Sequence, residues 1–206
     1  MKRADTATAL SELRAVAVLR LESAERLRRV VDALVEGGIR AVEVTMTTKG
    51  ALEALSTLGD NALVGAGTVL DAETARMAIS AGARFVVSPT FSPDVIRMCH
   101  RYDVLAIPGA FTPTEITSAW EAGADIVKIF PGGLLGPAYL RDLLAPLPHL
   151  RLMPTGGVTL DNAADFIAAG AVAVGVGGAL VPRNVEGYAT ITDRARRLAA
   201  AVARAR

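Results

Sequence analysis

Short runs of β-branched and aliphatic residues alternate with amphipathic stretches along the whole chain. Such runs read as buried strands and the 3.6-residue periodicity between them as helices, so the pattern predicts a parallel α/β protein. Strands are expected at 15–20, 41–45, 63–66, 85–88, 104–107, 126–130, 151–154 and 171–176. A helical stretch follows each, beginning near Glu22, Gly50, Asp71, Pro93, Pro113, Pro137, Leu160 and Val185. Asp71, Ser92, Thr112 and Thr159 stand where N-caps or near-caps belong, and Pro93 and Pro113 take the first turn behind two of them.

A weak repeat supports this division. Glu36-Gly-Gly38, Ala81-Gly-Ala83, Ala122-Gly-Ala124 and Ala169-Gly-Ala171 each mark a helix C-terminus, two βα units apart. Eight strands flanked by helices favour a closed (β/α)8 TIM barrel; an open doubly wound sheet is the alternative. No Pro- or Ser-rich linker divides the chain, so residues 1–206 are expected to form a single domain. The segment 5–14 is expected to add an N-terminal helix that covers the barrel bottom.

Composition narrows the function classes. With 51% hydrophobic residues and a net charge of +1, the chain is globular and no polyanion binder, and its 4% aromatics argue against base-stacking surfaces. The arginines near the C-terminus (Arg194, Arg196, Arg197, Arg204 and Arg206) read as a solvated helix face, so no nucleic-acid partner is expected. A lone Cys99 excludes an internal disulfide, and with only His100 and His149 it is poor material for a zinc site, so no metal is expected. Cys99 beside His100 reads as ordinary helix packing. No signal peptide follows Met1, and the uncharged run 167–182 is glycine-broken and too short to span a bilayer. A cytoplasmic location away from membranes is the expectation.

Only three lysines occur, Lys2, Lys49 and Lys128, and the last interrupts an apolar strand. A buried ammonium is costly, so a lysine there tends to give up its proton and become a nucleophile. Glu43 is equally anomalous inside Val42-Glu43-Val44. Strand alternation puts Lys128 with Ile126 and Phe130 on one face, and Glu43 with Ala41 and Thr45. The second and sixth strands of an eight-stranded barrel face each other, so both groups pointing inward would meet in its C-terminal half. Two functions are open to such a pair: a structural buried ion pair, or imine chemistry in which the amine attacks a ketone while the carboxyl shuttles protons.

Glycine-rich segments follow strands seven and eight, with Gly156-Gly157 in PTGG at 154–157 and Gly177-Gly178 in GVGG at 175–178. Loops in these places form the phosphate site of many such barrels. Gly65-Ala-Gly-Thr68 is a further close-approach loop, read either as a plain turn or as one where Thr68 holds a carboxylate or keto oxygen.

Taken in order, VEVT at 42–45, VGAGTV at 64–69, VSP at 87–89, PG at 108–109, VKIFP at 127–131, MPTGGV at 153–158 and VGG at 176–178 resemble the bacterial 2-keto-3-deoxy-6-phosphogluconate aldolases, also called KDPG/KHG aldolases. The resemblance implies a cofactor-free, metal-independent class I lyase on a (β/α)8 barrel, usually a homotrimer. It implies that Lys128 forms the imine with pyruvate's keto carbon and Glu43 is the acid/base. Thr68 and Thr155 would contact the keto acid, Pro89 and Phe130 would shape its pocket, and Gly156, Gly157, Gly177 and Gly178 would receive the phosphate.

Two departures stand out. Thr47 replaces an arginine that helps hold the substrate carboxylate in many members, leaving Arg20 as the substitute. Ala179 replaces a serine whose hydroxyl reaches the phosphate. The activity implied is cleavage of 2-dehydro-3-deoxy-6-phosphogluconate to pyruvate and D-glyceraldehyde 3-phosphate in carbohydrate (Entner–Doudoroff) metabolism. Cleavage of 4-hydroxy-2-oxoglutarate to pyruvate and glyoxylate is a second activity, and the galactonate epimer is the alternative substrate. A non-catalytic phosphate-ligand-binding barrel is the competing class. Phosphate-binding decarboxylases and epimerases fit less well: Asp125 points away from Lys128's face, and two histidines do not supply a metal set.

Overall fold

The computed structural model describes residues 1–58, 61–184 and 187–205. Helix α1 (Arg3–Leu13) leads into β1 (Ala15–Leu19), followed by α2 (Leu27–Glu36), β2 (Ala41–Thr45), α3 (Ala51–Thr57), β3 (Leu63–Gly67), α4 (Ala72–Ser80), β4 (Phe85–Val87) and α5 (Pro93–Arg101). The second half runs β5 (Leu105–Ile107), β6 (Gly109–Ala110), α6 (Pro113–Glu121), β7 (Val127–Ile129), α7 (Gly132–Leu144), β8 (Leu152–Pro154), α8 (Ala163–Ala168), β9 (Val174–Val176) and α9 (Tyr188–Arg204).

All pairings are parallel, as βα alternation requires. The strands form a curled sheet in two arcs, ordered β5-β4-β3-β2-β1-β9 and β6-β7-β8. The arcs approach each other at both ends. At one, only Pro108 separates β5 from β6, and its carbonyl accepts the Lys128 N–H (2.9 Å). At the other, the Val172 N–H donates to the Leu152 carbonyl (3.0 Å), and a parallel bridge links Thr155 with Gly175.

Strand alternation divides the core. Val42, Val44, Val127 and Ile129 pack outward with the helices, while Ala41, Phe85, Leu105, Ile126 and Met153 form a second apolar cluster on the opposite face. Ala7 and Leu10 of α1 belong to that inner cluster, and Arg151 Nη2 donates to the Ala7 carbonyl (3.0 Å). Glu43 shares the face of Ala41, and Lys128 that of Ile126, so both rise from this apolar floor.

The expected caps are present. Asp71 Oδ1 accepts the Thr74 N–H (2.6 Å), Ser92 Oγ accepts that of Val95 (3.4 Å), and Thr112 and Glu115 cap reciprocally. Thr159 is a near-cap: its hydroxyl accepts the Asn162 N–H (3.3 Å), and Asn162 is the cap of α8. The four predicted helix-ending glycines, 38, 82, 123 and 170, all have positive φ.

Boundaries move for local reasons. The stretch expected from Glu22 begins as a short 3-10 turn, Ala24–Arg26, because the Ala24 N–H is held by the Lys49 carbonyl (3.0 Å) before α2 starts. Helix α7 starts at Gly132, ahead of Pro137, and breaks at Gly136 (φ 72°, ψ 173°) so that Pro137 opens its second segment. Helix α8 starts at Ala163, later than Leu160, because Thr159 and Asn162 bond each other first. The expected start at Val185 lies outside the described residues, as does Arg206.

Gly65 of β3 is required by packing, since a Cβ there would overlap the Phe85 ring. Overpacking a filled core costs about 1–3 kcal/mol. Gly65→Ala is therefore expected to lower the unfolding free energy by that amount, read as a fall in the urea midpoint at unchanged m-value.

Candidate active site

A cavity of about 420 Å³ opens at the C-terminal ends of the strands, the end where βα loops gather. Val18 and Arg20 reach it from β1 and its end, Glu43 from β2, Thr68 from beyond β3, and Pro89 from beyond β4. Lys128 enters from β7, with Phe130 just after it. The loop after β8 contributes residues from Thr155 to Thr159, and the loop after β9 contributes Gly177, Gly178, Ala179, Val181 and Arg183. All eleven site residues expected from the sequence thus line one cavity. Val18, Val158, Thr159, Val181 and Arg183 were not anticipated. The glycine pairs mark both loops, but no residue pattern singles out Arg183 within the second.

Glu43 and Lys128 are both buried, at 1% and 5% exposure. Burial pushes the Glu43 carboxyl above its ordinary range, against the opposing pull of the Lys128 and Arg20 charges. Burial likewise holds the Lys128 amine below the ordinary lysine range; Glu43 opposes that shift and Arg20 adds to it. Each group is biased toward its uncharged form, and the two share one cavity. Glu43 Oε2 has no hydrogen-bond partner among the described residues, and the Lys128 Nζ lies 4.7 Å from the centroid of the Phe130 ring. The pair therefore interacts through space and leaves both heads available to a third molecule.

Neighbouring glycines shape this arrangement. A Cβ at Gly67 would overlap Glu43 Oε1, so β3 leaves the carboxyl its room. Thr68, directly behind it, holds φ 58°, an unfavourable region for a β-branched residue. A Cβ at Gly156 would crowd the Phe130 ring at 2.9 Å, and one at Gly175 would overlap the Thr155 hydroxyl. Thr155 Oγ1 is buried and unpartnered among the described residues, a second polar atom available inside the cavity. Gly178 is different, for a Cβ there would meet nothing within 4 Å. Its missing side chain serves no packing need and leaves the backbone bare toward the cavity.

Thr47 does not line the cavity; its hydroxyl bonds Thr45 Oγ1 at 2.9 Å. Arg20 is exposed, and its charge reaches both Glu43 and Lys128. Cys99 and His100 lie on α5 away from the cavity, with the thiol pushed up to about 12 by burial. Among the described residues, no three His, Cys, Asp or Glu side chains gather as a metal would need.

Two oppositely shifted groups make a stability prediction. Lys128 binds fewer protons folded than unfolded below its ordinary value of 10.5, so stability rises with pH through that window. Glu43 binds more protons folded above 4.5, so stability falls as pH rises through its own window. Replacing both, as Lys128→Met with Glu43→Leu, is expected to raise stability by about 1–4 kcal/mol and to flatten both slopes in chemical denaturation across pH.

Comparison with known proteins places this geometry. The family described as Aldolase: KDPG and KHG aldolase matches residues 6–193. A 2-dehydro-3-deoxy-phosphogluconate aldolase of Treponema pallidum is 43% identical over 164 residues, 78% of each chain. A 2-dehydro-3-deoxy-6-phosphogalactonate aldolase of Escherichia coli is 35% identical, covering 81% of this chain and 84% of its own. The solved KDPG aldolase of Legionella pneumophila, with pyruvate captured as a covalent carbinolamine, superposes with a TM-score of 0.86 at 25% identity, over 94% of this chain and 97% of its own. The chain belongs to the KDPG and KHG aldolase family.

Proposed function

We propose that this protein is a class I, metal-independent aldolase that cleaves 2-dehydro-3-deoxy-6-phosphogluconate through an imine on Lys128. The observation that carries this reading is the burial of Lys128 and Glu43 in one cavity, each shifted toward its uncharged form.

The Lys128 amine attacks the C2 keto carbon while the carbonyl electron pair moves to oxygen, which takes a proton from Glu43. The Glu43 carboxylate then takes a proton from the carbinolamine nitrogen and passes it to the hydroxyl, which leaves as water as the nitrogen lone pair forms the protonated imine. The C4 hydroxyl then gives its proton to the Glu43 carboxylate as the C3–C4 bond breaks. That bond's electrons flow into the imine to form an enamine, and glyceraldehyde 3-phosphate departs. Glu43 returns the proton to C3, and hydrolysis frees pyruvate and the amine. One carboxyl suffices for every transfer because its shifted pKa lets it act in both directions. Thr155 Oγ1, buried and unpartnered, is suited to a substrate oxygen, and Thr68 to the keto acid. Pro89 and Phe130 wall the pyruvate end, while Arg20 answers the carboxylate and Gly156, Gly157, Gly177 and Gly178 the phosphate.

The reading includes the scaffold. Residues 1–206 act as one domain, and the two arcs act as one closed (β/α)8 barrel. The Val172–Leu152 hydrogen bond and the continuity through Pro108 support closure. Helix α1 plugs its lower end, supported by Ala7 and Leu10 in the inner cluster. A cytoplasmic homotrimer is the proposed working form. Among the described residues no helix is long and apolar enough to cross a membrane, and Leu134 at 80% exposure offers apolar surface for association.

The test is turnover of the gluconate and galactonate epimers side by side, followed by release of pyruvate. Faster cleavage of the gluconate epimer is expected, with slower cleavage of 4-hydroxy-2-oxoglutarate. A preference for the galactonate epimer would transfer the same chemistry to the other sugar acid, and failure on all three substrates would overturn the aldolase reading.

A further inference from the structure

Two arginines line the cavity, and they relate to the reacting pair differently. The charge of Arg20 acts on both Glu43 and Lys128. Arg183 lines the same cavity, in the loop that carries Gly177 and Gly178, and is not among the charges that shift either group. It also borders two outer grooves, which places it on the rim. Glu22 and Glu25 share one of those grooves, but among the described residues Arg183 makes no ion pair or hydrogen bond with them or with any other group. Its exposed guanidinium keeps all five donors for a ligand.

The loop carrying it is short of polar side chains. From Gly177 to Pro182 it reads Gly-Gly-Ala-Leu-Val-Pro, so backbone N–H groups are its only donors until Arg183. Bare backbone at Gly178 gives an anion close approach without any charge to hold it. The substrate has an anion at each end, a carboxylate beside the keto carbon and a phosphate on the terminal carbon. Arg20 acts on the imine-forming pair, whereas Arg183 shares its cavity-lining loop with Gly177 and Gly178, so the distal phosphate falls to Arg183.

We propose that Arg183 is the phosphate-recognising side chain, a specificity-determining residue that clamps the terminal dianion against the Gly177–Gly178 backbone. The assignment rests on the aldolase reading above. A planar guanidinium fork suits phosphate bidentately, and a lysine at this position would supply charge without the fork.

The experiment compares 2-dehydro-3-deoxy-6-phosphogluconate with its unphosphorylated counterpart, in the wild type, Arg183→Ala and Arg183→Lys. For Arg183→Ala, KM for the phosphorylated substrate is expected to rise about 10- to 100-fold, and the ratio of kcat/KM between the two substrates to fall by the same factor. Arg183→Lys should lie between. Inorganic phosphate, used as a competitive inhibitor, should weaken in parallel. Pyruvate trapping on Lys128 by borohydride reports separately on the chemistry. If the wild type traps no pyruvate, the aldolase reading fails. If trapping succeeds and the substrate ratio does not move in Arg183→Ala, the aldolase stands and the role given to Arg183 is overturned.

Discussion

Lys128→Met is expected to abolish cleavage, lowering kcat/KM by at least ~10⁴-fold and removing the borohydride-stable pyruvate adduct. Methionine keeps the length and volume of the side chain and can lie against the Phe130 ring as the lysine does, so the loss is not one of packing. What disappears is the only primary amine among the described residues that line the cavity. Lys128→Arg sharpens the test. Arginine retains a cation at the same place, but a guanidinium that never deprotonates near neutral pH has no lone pair to offer a ketone. If position 128 served only as a positive charge for an anionic ligand, the arginine variant would keep function and the methionine variant would lose it. Under imine chemistry both lose it. Mass spectrometry of the trapped protein decides the matter, because an adduct persisting in either variant would place the nucleophile elsewhere.

The residues that made the site readable in the sequence were those that violate strand chemistry. Glu43 and Lys128 stand among valines and isoleucines, and alternation alone predicts that they share faces with Ala41 and Ile126, as they do. The helix-ending glycines and the caps at Asp71, Ser92 and Thr112 were legible because each answers a local backbone need. Features set by distant partners were not. The delayed start of α2 follows from a hydrogen bond between Ala24 and Lys49, far apart in the chain. The division of the sheet between β5 and β6 falls at Pro108, which has no N–H to donate to a neighbouring strand. Glycines at 65 and 67 look alike as letters, yet one makes room for an aromatic ring and the other for a carboxylate. Arg183 went unanticipated because an arginine in a loop is ordinary; only the cavity distinguishes it from the solvated arginines of α9.

Glu43→Gln is expected to reduce kcat by about 10²–10⁴-fold while KM changes little. Glutamine occupies the same space beside Gly67 and keeps a carbonyl oxygen toward the cavity, so substrate should still bind. It cannot give or take the protons that carbinolamine collapse and C3–C4 cleavage require. The pH profile separates this role from a structural one. In the wild type, activity should rise as Lys128 loses its proton, below the ordinary lysine range, and fall as Glu43 loses its own, above the ordinary carboxylate range. Both limbs belong to the coupled pair. The variant should lose the falling limb. Because Glu43 is still protonated and neutral where Lys128 loses its proton, neutral glutamine should leave the rising limb nearly in place. Pyruvate trapping should slow but continue, since the amine remains. A Glu43→Gln enzyme with wild-type kcat and an unchanged profile would remove the carboxyl from the proton path and reduce it to a buried counter-charge for Lys128.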